Sequence, residues 1–361
     1  MRRRVRIFMD SHPPGRLASE LIGTACMTGR MEKRLMCASL TRRGALVAAG
    51  AGILAASTLH RPTVAQSAPL LRVGGTPNYG PVLPVHAANK LGLFQKLGLR
   101  VEFTGFSGGS AAMEAIAAGE ADLINYFPPG VALAKQRGVA ATIIAAGTLT
   151  PRGWKIMAKR GSPIAAIKDL ARKKIGVSAN GSTTDFFALW AGQQAGGTVS
   201  RIPLGGGGMI PGLLAGNVDA IVAYPPLSYQ LETSGDGQVV VDLGTAMQPN
   251  LPDVWVAGDR TLAQKAEQIQ KALVGIVSAV RYMKANPAWT IAFIQEQSRF
   301  SPDVAKLEFE NTIMGLSDDG TIREEWIENS LALGRLAGLQ ELPPAKSMFS
   351  TRFLPLVPVD V

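Results

Sequence analysis

Ala118-Gly119-Glu120-Ala121-Asp122-Leu123-Ile124-Asn125-Tyr126-Phe127-Pro128-Pro129 returns 97 residues later as Ala215-Gly216-Asn217-Val218-Asp219-Ala220-Ile221-Val222-Ala223-Tyr224-Pro225-Pro226. The shared pattern is A-G-x-x-D-x-I-x-x-[FY]-P-P. It agrees at seven typed positions of twelve, which chance does not readily supply even in a chain with 40 glycines. Each copy follows a glycine-rich turn and a helical stretch, Ser107-Gly108-Gly109-Ser110 before the first and Gly205-Gly206-Gly207-Gly208 before the second. The physical reading is two α/β lobes of like construction. In each, a helix ends at glycine, a short apolar strand crosses a sheet, and an aromatic-Pro-Pro turn emerges at the strand's carboxyl end.

Working outward, short apolar runs at 71–74, 100–104, 123–125, 141–146, 156–158, 174–178 and 220–223 read as strands. Helical patterns at 81–91 and 110–118 lie between them, the second with Ala112, Ala115 and Ile116 on one face. Strands alternating with helices imply βαβ units and mainly parallel sheets. From residue 262 onward the reading is almost wholly helical, with Ala272, Ile276, Val280 and Met283 on one stripe.

The net charge of +10 invites a nucleic-acid reading, but its location argues against one. Residues 1–65 hold eleven Lys/Arg against Asp10, Glu20 and Glu32, leaving 26 basic and 24 acidic residues for the rest. A near-neutral body has no basic face with which to neutralise phosphates. Both cysteines, Cys26 and Cys37, lie in the same segment, with His12 and His60, so the body keeps only His86. A body without cysteine has no thiol nucleophile, thiolate metal ligand or disulfide. One histidine builds neither a multi-histidine metal site nor a two-histidine acid/base pair, and no G-x-S-x-G elbow accompanies it. The expectation is a binding protein, not an enzyme, without cofactor or metal.

Arg42-Arg43 stands just before an uncharged, Ala/Gly-rich run from 44 to 59. Sixteen residues are short for a membrane span, which needs about 20. The segment resembles a twin-arginine signal peptide with small residues for cleavage near Ala65. Residues 1–30 precede any sensible signal, and Met31 is the better start. The expected division is an export segment at 1–67, one lobe from 68–152 and 256–361, and a second lobe from 153–255.

Three further stretches carry a family resemblance. Lys168-Asp169-Leu170-Ala171-Arg172-Lys173-Lys174-Ile175-Gly176-Val177, the loop Ser178-Ala179-Asn180-Gly181-Ser182-Thr183 after it, and Leu91-Gly92-Leu93-Phe94 with Leu97-Gly98-Leu99-Arg100-Val101-Glu102 are each similar to stretches of one family. That family is the periplasmic binding proteins for nitrate, sulfonates, taurine and thiamine-pyrimidine precursors. The similarity spans roughly residues 70–260. It implies a Venus-flytrap fold: two lobes joined by two crossovers, here near 149–155 and 242–257. It also implies a monomer in the periplasm that delivers a small organic, anionic ligand (sulfonate, carboxylate or pyrimidine type) to an ABC permease. Some relatives are enzymes that desulfinate or build a pyrimidine with Cys and His, and a ligand-sensing subunit for a membrane receptor is a further alternative. Tyr224 stands where many relatives carry tryptophan, so the ligand is expected to differ.

In open parallel sheets ligands bind at the strands' carboxyl ends. The loops expected there supply Thr76, Asn78 and Tyr79; Ser107 and Ser110; Phe127; Asn180, Gly181, Ser182 and Thr183; and Tyr224. Hydroxyls before a helix and its free N–H groups favour an anionic or strongly polar ligand group. Ordinary N-capping explains Ser110 and Ser182 equally, since Ser182-Thr183-Thr184-Asp185 fits a capping box. Core packing is the alternative for Tyr126, Phe127 and Tyr224, and a structural turn the favoured role for Asp122 and Asp219. His86, Arg152 and Trp154 stay open between ligand contact and packing. No Arg or Lys falls inside these loops, which leans toward an organic ligand with a flat or apolar portion.

Overall fold

The computed structural model describes residues 68–361. The expected export segment, with its twin arginines, both cysteines, His12 and His60, lies outside the described residues. In chain order the strands are β1 (Leu70–Gly75), β2 (Arg100–Gly105), β3 (Leu123–Tyr126), β4 (Ala141–Thr148) and β5 (Lys155–Lys159). Then come β6 (Lys174–Val177), β7 (Ser200–Pro203), β8 (Ala220–Ala223), β9 (Gly237–Asp242) and β10 (Asp253–Gly258).

They form two five-stranded sheets of one design, β2-β1-β3-β10-β4 and β7-β6-β8-β5-β9. In the first, β1 pairs parallel with β2 and β3, while β10 runs antiparallel between β3 and β4. In the second, β6 pairs parallel with β7 and β8, and β5 runs antiparallel between β8 and β9. Four strands of each sheet therefore run one way and the fifth against them. The reversed strands, β5 and β10, are those by which the chain enters one sheet from the other, through 149–154 and 243–252. They need no βαβ return, so nothing holds them parallel.

The two copies of the repeat do the same work. Gly119 (φ 74°) and Gly216 (φ 76°) take the left-handed conformation that ends each helix. After three more residues come Leu123-Ile124-Asn125-Tyr126 and Ala220-Ile221-Val222-Ala223, wholly buried central strands that, Asn125 and Tyr126 apart, are aliphatic because both sheet faces are covered. Between them each aspartate ties its strand to the neighbour. Asp122 Oδ2 accepts from the Arg72 backbone N–H at 2.9 Å, and Asp219 Oδ2 from that of Lys174 at 2.8 Å. The backbone N–H groups of Asp122 and Asp219 donate back to the same two residues' carbonyls. The structural role expected of these two carboxylates is what the geometry provides.

The helix expected at 81–91 is a 3₁₀ turn, Gly80–Val82, followed by the α-helix Leu83–Lys90, each with a proline in its first turn where no N–H is needed. Its neighbour Ala266–Ala285 buries the expected stripe of Ala272, Ile276, Val280 and Met283. Gly275 lies close against the Phe94 ring, leaving no room for a β-carbon. The later helices touch both sheets' layers. Pro302–Leu307 packs on Leu227–Ser234 beside the second sheet, and Glu324–Leu336 packs on both Pro128–Gln136 and Thr183–Gln194.

Candidate functional site

The carboxyl ends of β1, β3, β6 and β8 meet between the sheets. Tyr79, Trp154 and Tyr224 form an aromatic triangle there, with ring centroids 5.5–5.8 Å apart, the two contacts of Tyr79 being edge-on. Edge-to-face packing suits the ring quadrupoles and gives a rigid apolar wall. Gly206 leaves room for the Tyr224 hydroxyl, since a β-carbon there would stand 2.4 Å from it. That close approach accounts for one glycine of the run at 205–208.

Opposite the wall the chain turns at Gly181 (φ 74°) into the helix Thr183–Gln194. Ser178, Ser182 and Thr184 hold their hydroxyl oxygens 2.8–3.0 Å from one another. Ser182 makes no side-chain cap; its hydroxyl donates to the Ala179 carbonyl at 2.7 Å instead. Asp185 does not close a capping box either. Its carboxylate accepts from the Gly181 N–H and from Arg201. The capping explanation of Ser182 is thus displaced, because Asp185 is drawn away to a cation. The Asp185 and Phe186 N–H groups donate to the Ser182 carbonyl, which leaves those of Thr183 and Thr184, two residues that line the cavity, as the helix's orphan donors.

Below the wall lies Asp253, 1 % exposed. It accepts hydrogen bonds from Asn125 Nδ2 at 2.9 Å, from the Tyr79 hydroxyl at 3.3 Å and from the Thr148 hydroxyl. Burial pushes its carboxyl up to about 6, against the pull of those donors. Burial, and then the Asp253 charge, push the Tyr79 hydroxyl well above its ordinary value, so it stays protonated as a donor. Gly147 makes the arrangement possible, for a β-carbon there would lie 1.8 Å from Asp253 Oδ1. Gly147→Ala is therefore expected to displace the carboxylate and cost about 2 kcal/mol, an overpacking penalty. Urea unfolding with an unchanged midpoint would contradict this.

These parts enclose a cavity of about 30 Å³. Of the residues expected at the site, Thr76, Tyr79, Ser182, Thr183 and Tyr224 line it. Asn78 and Ser107 line an adjoining open groove of about 740 Å³ that runs past Phe106 to Phe300. Gly181 contributes its carbonyl to the Tyr126 hydroxyl at 2.7 Å, a bond between the two halves. Ser110 lies beside Gly181, and Asn180 is exposed; neither lines the cavity. Phe127 is wholly buried, its ring 5.6 and 5.7 Å from those of Phe186 and Phe187. It packs the halves together, while Tyr126, one residue earlier and on the strand's other face, takes the cavity side. Trp154 belongs to the aromatic wall. Arg152 lines side cavities near the crossovers, and His86 packs on Phe103 at 4.5 Å, its pKa lowered by burial.

Asn125, Tyr126, Trp154, Ser178 and Thr184, with Gly109 and Pro252, complete the lining. Asn125 left a signal: it is the lone amide in an otherwise apolar or aromatic central strand. None of the described residues lining the cavity carries a charge. Among the described residues no group of three His, Cys, Asp or Glu could hold a metal, and no helix is long and apolar enough to cross a membrane.

Comparison with known proteins agrees with this architecture. A Brucella abortus (strain 2308) protein, named provisionally as a binding protein, is 25% identical over 245 residues, 66% of this chain and 74% of its own length. A solved structure from Bordetella bronchiseptica RB50 is 25% identical with a TM-score of 0.68, covering 79% of this chain and 95% of that one. The alkanesulfonate-binding protein SsuA of Xanthomonas axonopodis pv. citri, bound to MOPS, superposes with a TM-score of 0.67 at 18% identity, over 77% of this chain and 97% of SsuA. At that identity the likeness shows the fold: two-lobed, of the periplasmic-binding-protein type. Residues 81–289, more than half the chain, match the family model described as NMT1/THI5 like, and the chain belongs to that family.

Proposed function

We propose that this protein captures a small organic solute between its two halves outside the cytoplasm and hands it to an ABC-type permease. The observation that carries the reading is the cavity itself. Residues from both sheets line it, with an aromatic wall facing hydroxyls and a helix start, and none of the described lining residues is charged. Such a surface suits a ligand with a flat or apolar body and an anionic or strongly polar end of sulfonate, carboxylate or pyrimidine type. The export route through the twin-arginine segment and action as a monomer are part of the same proposal.

A space of about 30 Å³ holds a water or two and no organic solute. Capture therefore requires the halves to part and reclose about the crossovers at 149–154 and 243–252, a hinge motion stabilised by ligand contacts from both sides. Tyr224→Ala and Ser182→Ala are each expected to weaken ligand binding about tenfold or more, by removal of a stacking face and of a hydroxyl, without unfolding the protein. A thermal-shift screen of sulfonates, aromatic acids and pyrimidines finds the ligand. Calorimetry on the two variants then checks the site, and unchanged affinity in both would remove the assignment.

A further inference from the structure

Asp253 touches no part of the cavity, yet two of the cavity's polar residues hang from it. Asn125 and Tyr79 both donate to its carboxylate, the first at Oδ1 and the second at Oδ2, where Thr148 also donates. A carboxylate only accepts, so each of these neighbours must turn a donor inward. For Asn125 the consequence is polar. With its Nδ2 held by Asp253, the carbonyl oxygen is the end left to the cavity that Asn125 lines. Tyr79 likewise spends its single proton inward and is itself donated to by Trp154, so the acceptor left to the cavity is the Asn125 carbonyl. The floor beneath the aromatic wall is thus an acceptor surface. The helix start across the gap, where the N–H groups of Thr183 and Thr184 have no carbonyl four residues back, is a donor surface.

We propose that Asp253 is the positioning residue that sets this polarity, and that the site selects dipolar solutes carrying an N–H donor opposite their anionic or acceptor end. The inference rests on the solute-binding reading above and narrows its ligand class. A solute that buries an N–H against the Asn125 carbonyl satisfies both groups. A donor-free analogue leaves the carbonyl desolvated and unpaired, and unpaired buried groups discriminate strongly.

Asp253→Asn makes the logic testable because the shape is kept. The new amide can place its oxygen where Oδ2 accepts from Thr148 and Tyr79, which puts its nitrogen opposite Asn125. Asn125 must then turn its own oxygen inward and its NH₂ to the cavity, inverting the floor. Protonation acts in the same direction. The groups facing Asp253 are Tyr79 from the loop after β1, Asn125 from β3 and Thr148 from β4. Glu308 acts on Tyr79 from the far side, and burial raises its carboxyl as well.

The probes are 4-aminobenzenesulfonate and benzenesulfonate, which differ by one amine and keep their protonation between pH 5 and 8. Calorimetry on the wild-type protein at pH 8 should favour the amine by about tenfold or more, the value of a hydrogen bond against an unpaired buried acceptor. The preference should shrink toward unity at pH 5 and vanish or reverse in Asp253→Asn. Equal binding of the two probes, tighter binding of benzenesulfonate, or a preference unchanged both at pH 5 and in the variant would overturn the inference and leave solute capture standing. A panel in which no sulfonate, aromatic acid or pyrimidine binds would remove the solute-binding reading and this inference with it. Should the variant fail to fold, the wild-type ratio at the two pH values decides alone.

Discussion

Replacing Glu308 by glutamine is expected to raise Tm at neutral pH, and by more as the pH climbs from about 5 to 8. Glu308 opens a short π-helical segment, Glu308–Thr312, and is wholly buried. Its Oε2 accepts from the Thr312 hydroxyl at 3.1 Å, but Oε1 has no partner among the described residues and stands where a β-carbon of Gly80 would be. No lysine or arginine pairs with it among the described residues. Burial therefore pushes the carboxyl up to about 8, with the Thr312 bond pulling weakly the other way. An acid whose pKa is higher folded than unfolded contributes full stability below its unfolded value, near 4.5, and loses it as the pH rises through the folded value. Between those limits each pH unit removes about 1.4 kcal/mol, so at pH 7 the cost is about 3 kcal/mol. Glutamine keeps the shape and removes the titration. The check is Tm against pH for both proteins: the wild-type curve should fall steeply between pH 5 and 8, and the variant's should keep only the shallower fall up to about pH 6 that Asp253 imposes. Parallel curves would show that Glu308 is not titrating in the fold.

The second large effect has the opposite pH sign. Asp122, 2 % exposed, accepts from the backbone N–H and the guanidinium of Arg72 and from Lys265 at 2.9 Å. Burial alone would raise its pKa. The Arg72 and Lys265 bonds outweigh that and hold the carboxyl below the usual range. A depressed acid stabilises above its unfolded pKa and gives that stability up as the pH falls. Asp122→Ala leaves two cations and a strand N–H without their acceptor. Because Arg72 and Lys265 keep about a third of their side-chain surface in water, the loss falls at the low end for a broken buried pair, about 3 kcal/mol. Asp219→Ala is the control from the other copy of the repeat. Asp219 is exposed and holds only the Lys174 N–H, so about 1 kcal/mol is expected. Urea unfolding of the two variants separates them, and equal losses would contradict the argument.

Much of the architecture was legible because it is local. A glycine after a helix, a four-residue apolar strand and an aromatic-proline corner are neighbours in sequence, and their recurrence announced two halves of one design. The same locality put Thr76, Tyr79, Ser182, Thr183 and Tyr224 at the cavity, since each follows a readable strand or opens a readable helix. At Phe127 locality stops being enough. A one-residue choice of phase decides which of two adjacent aromatics faces the gap, and only packing against Phe186 and Phe187 settles it.

Residues close together in the chain were enough to specify the number of halves, their α/β character and most of the loops that face each other. The tertiary structure alone decided that β5 and β10 run against their sheets and that Trp154 closes the aromatic wall. It alone set Asp253 beneath Asn125, Tyr79 and Thr148, partners 128, 174 and 105 residues away. The reason is physical: strand direction after a crossover and the company of a buried carboxylate depend on distant pairings, which leave no period in the chain to read.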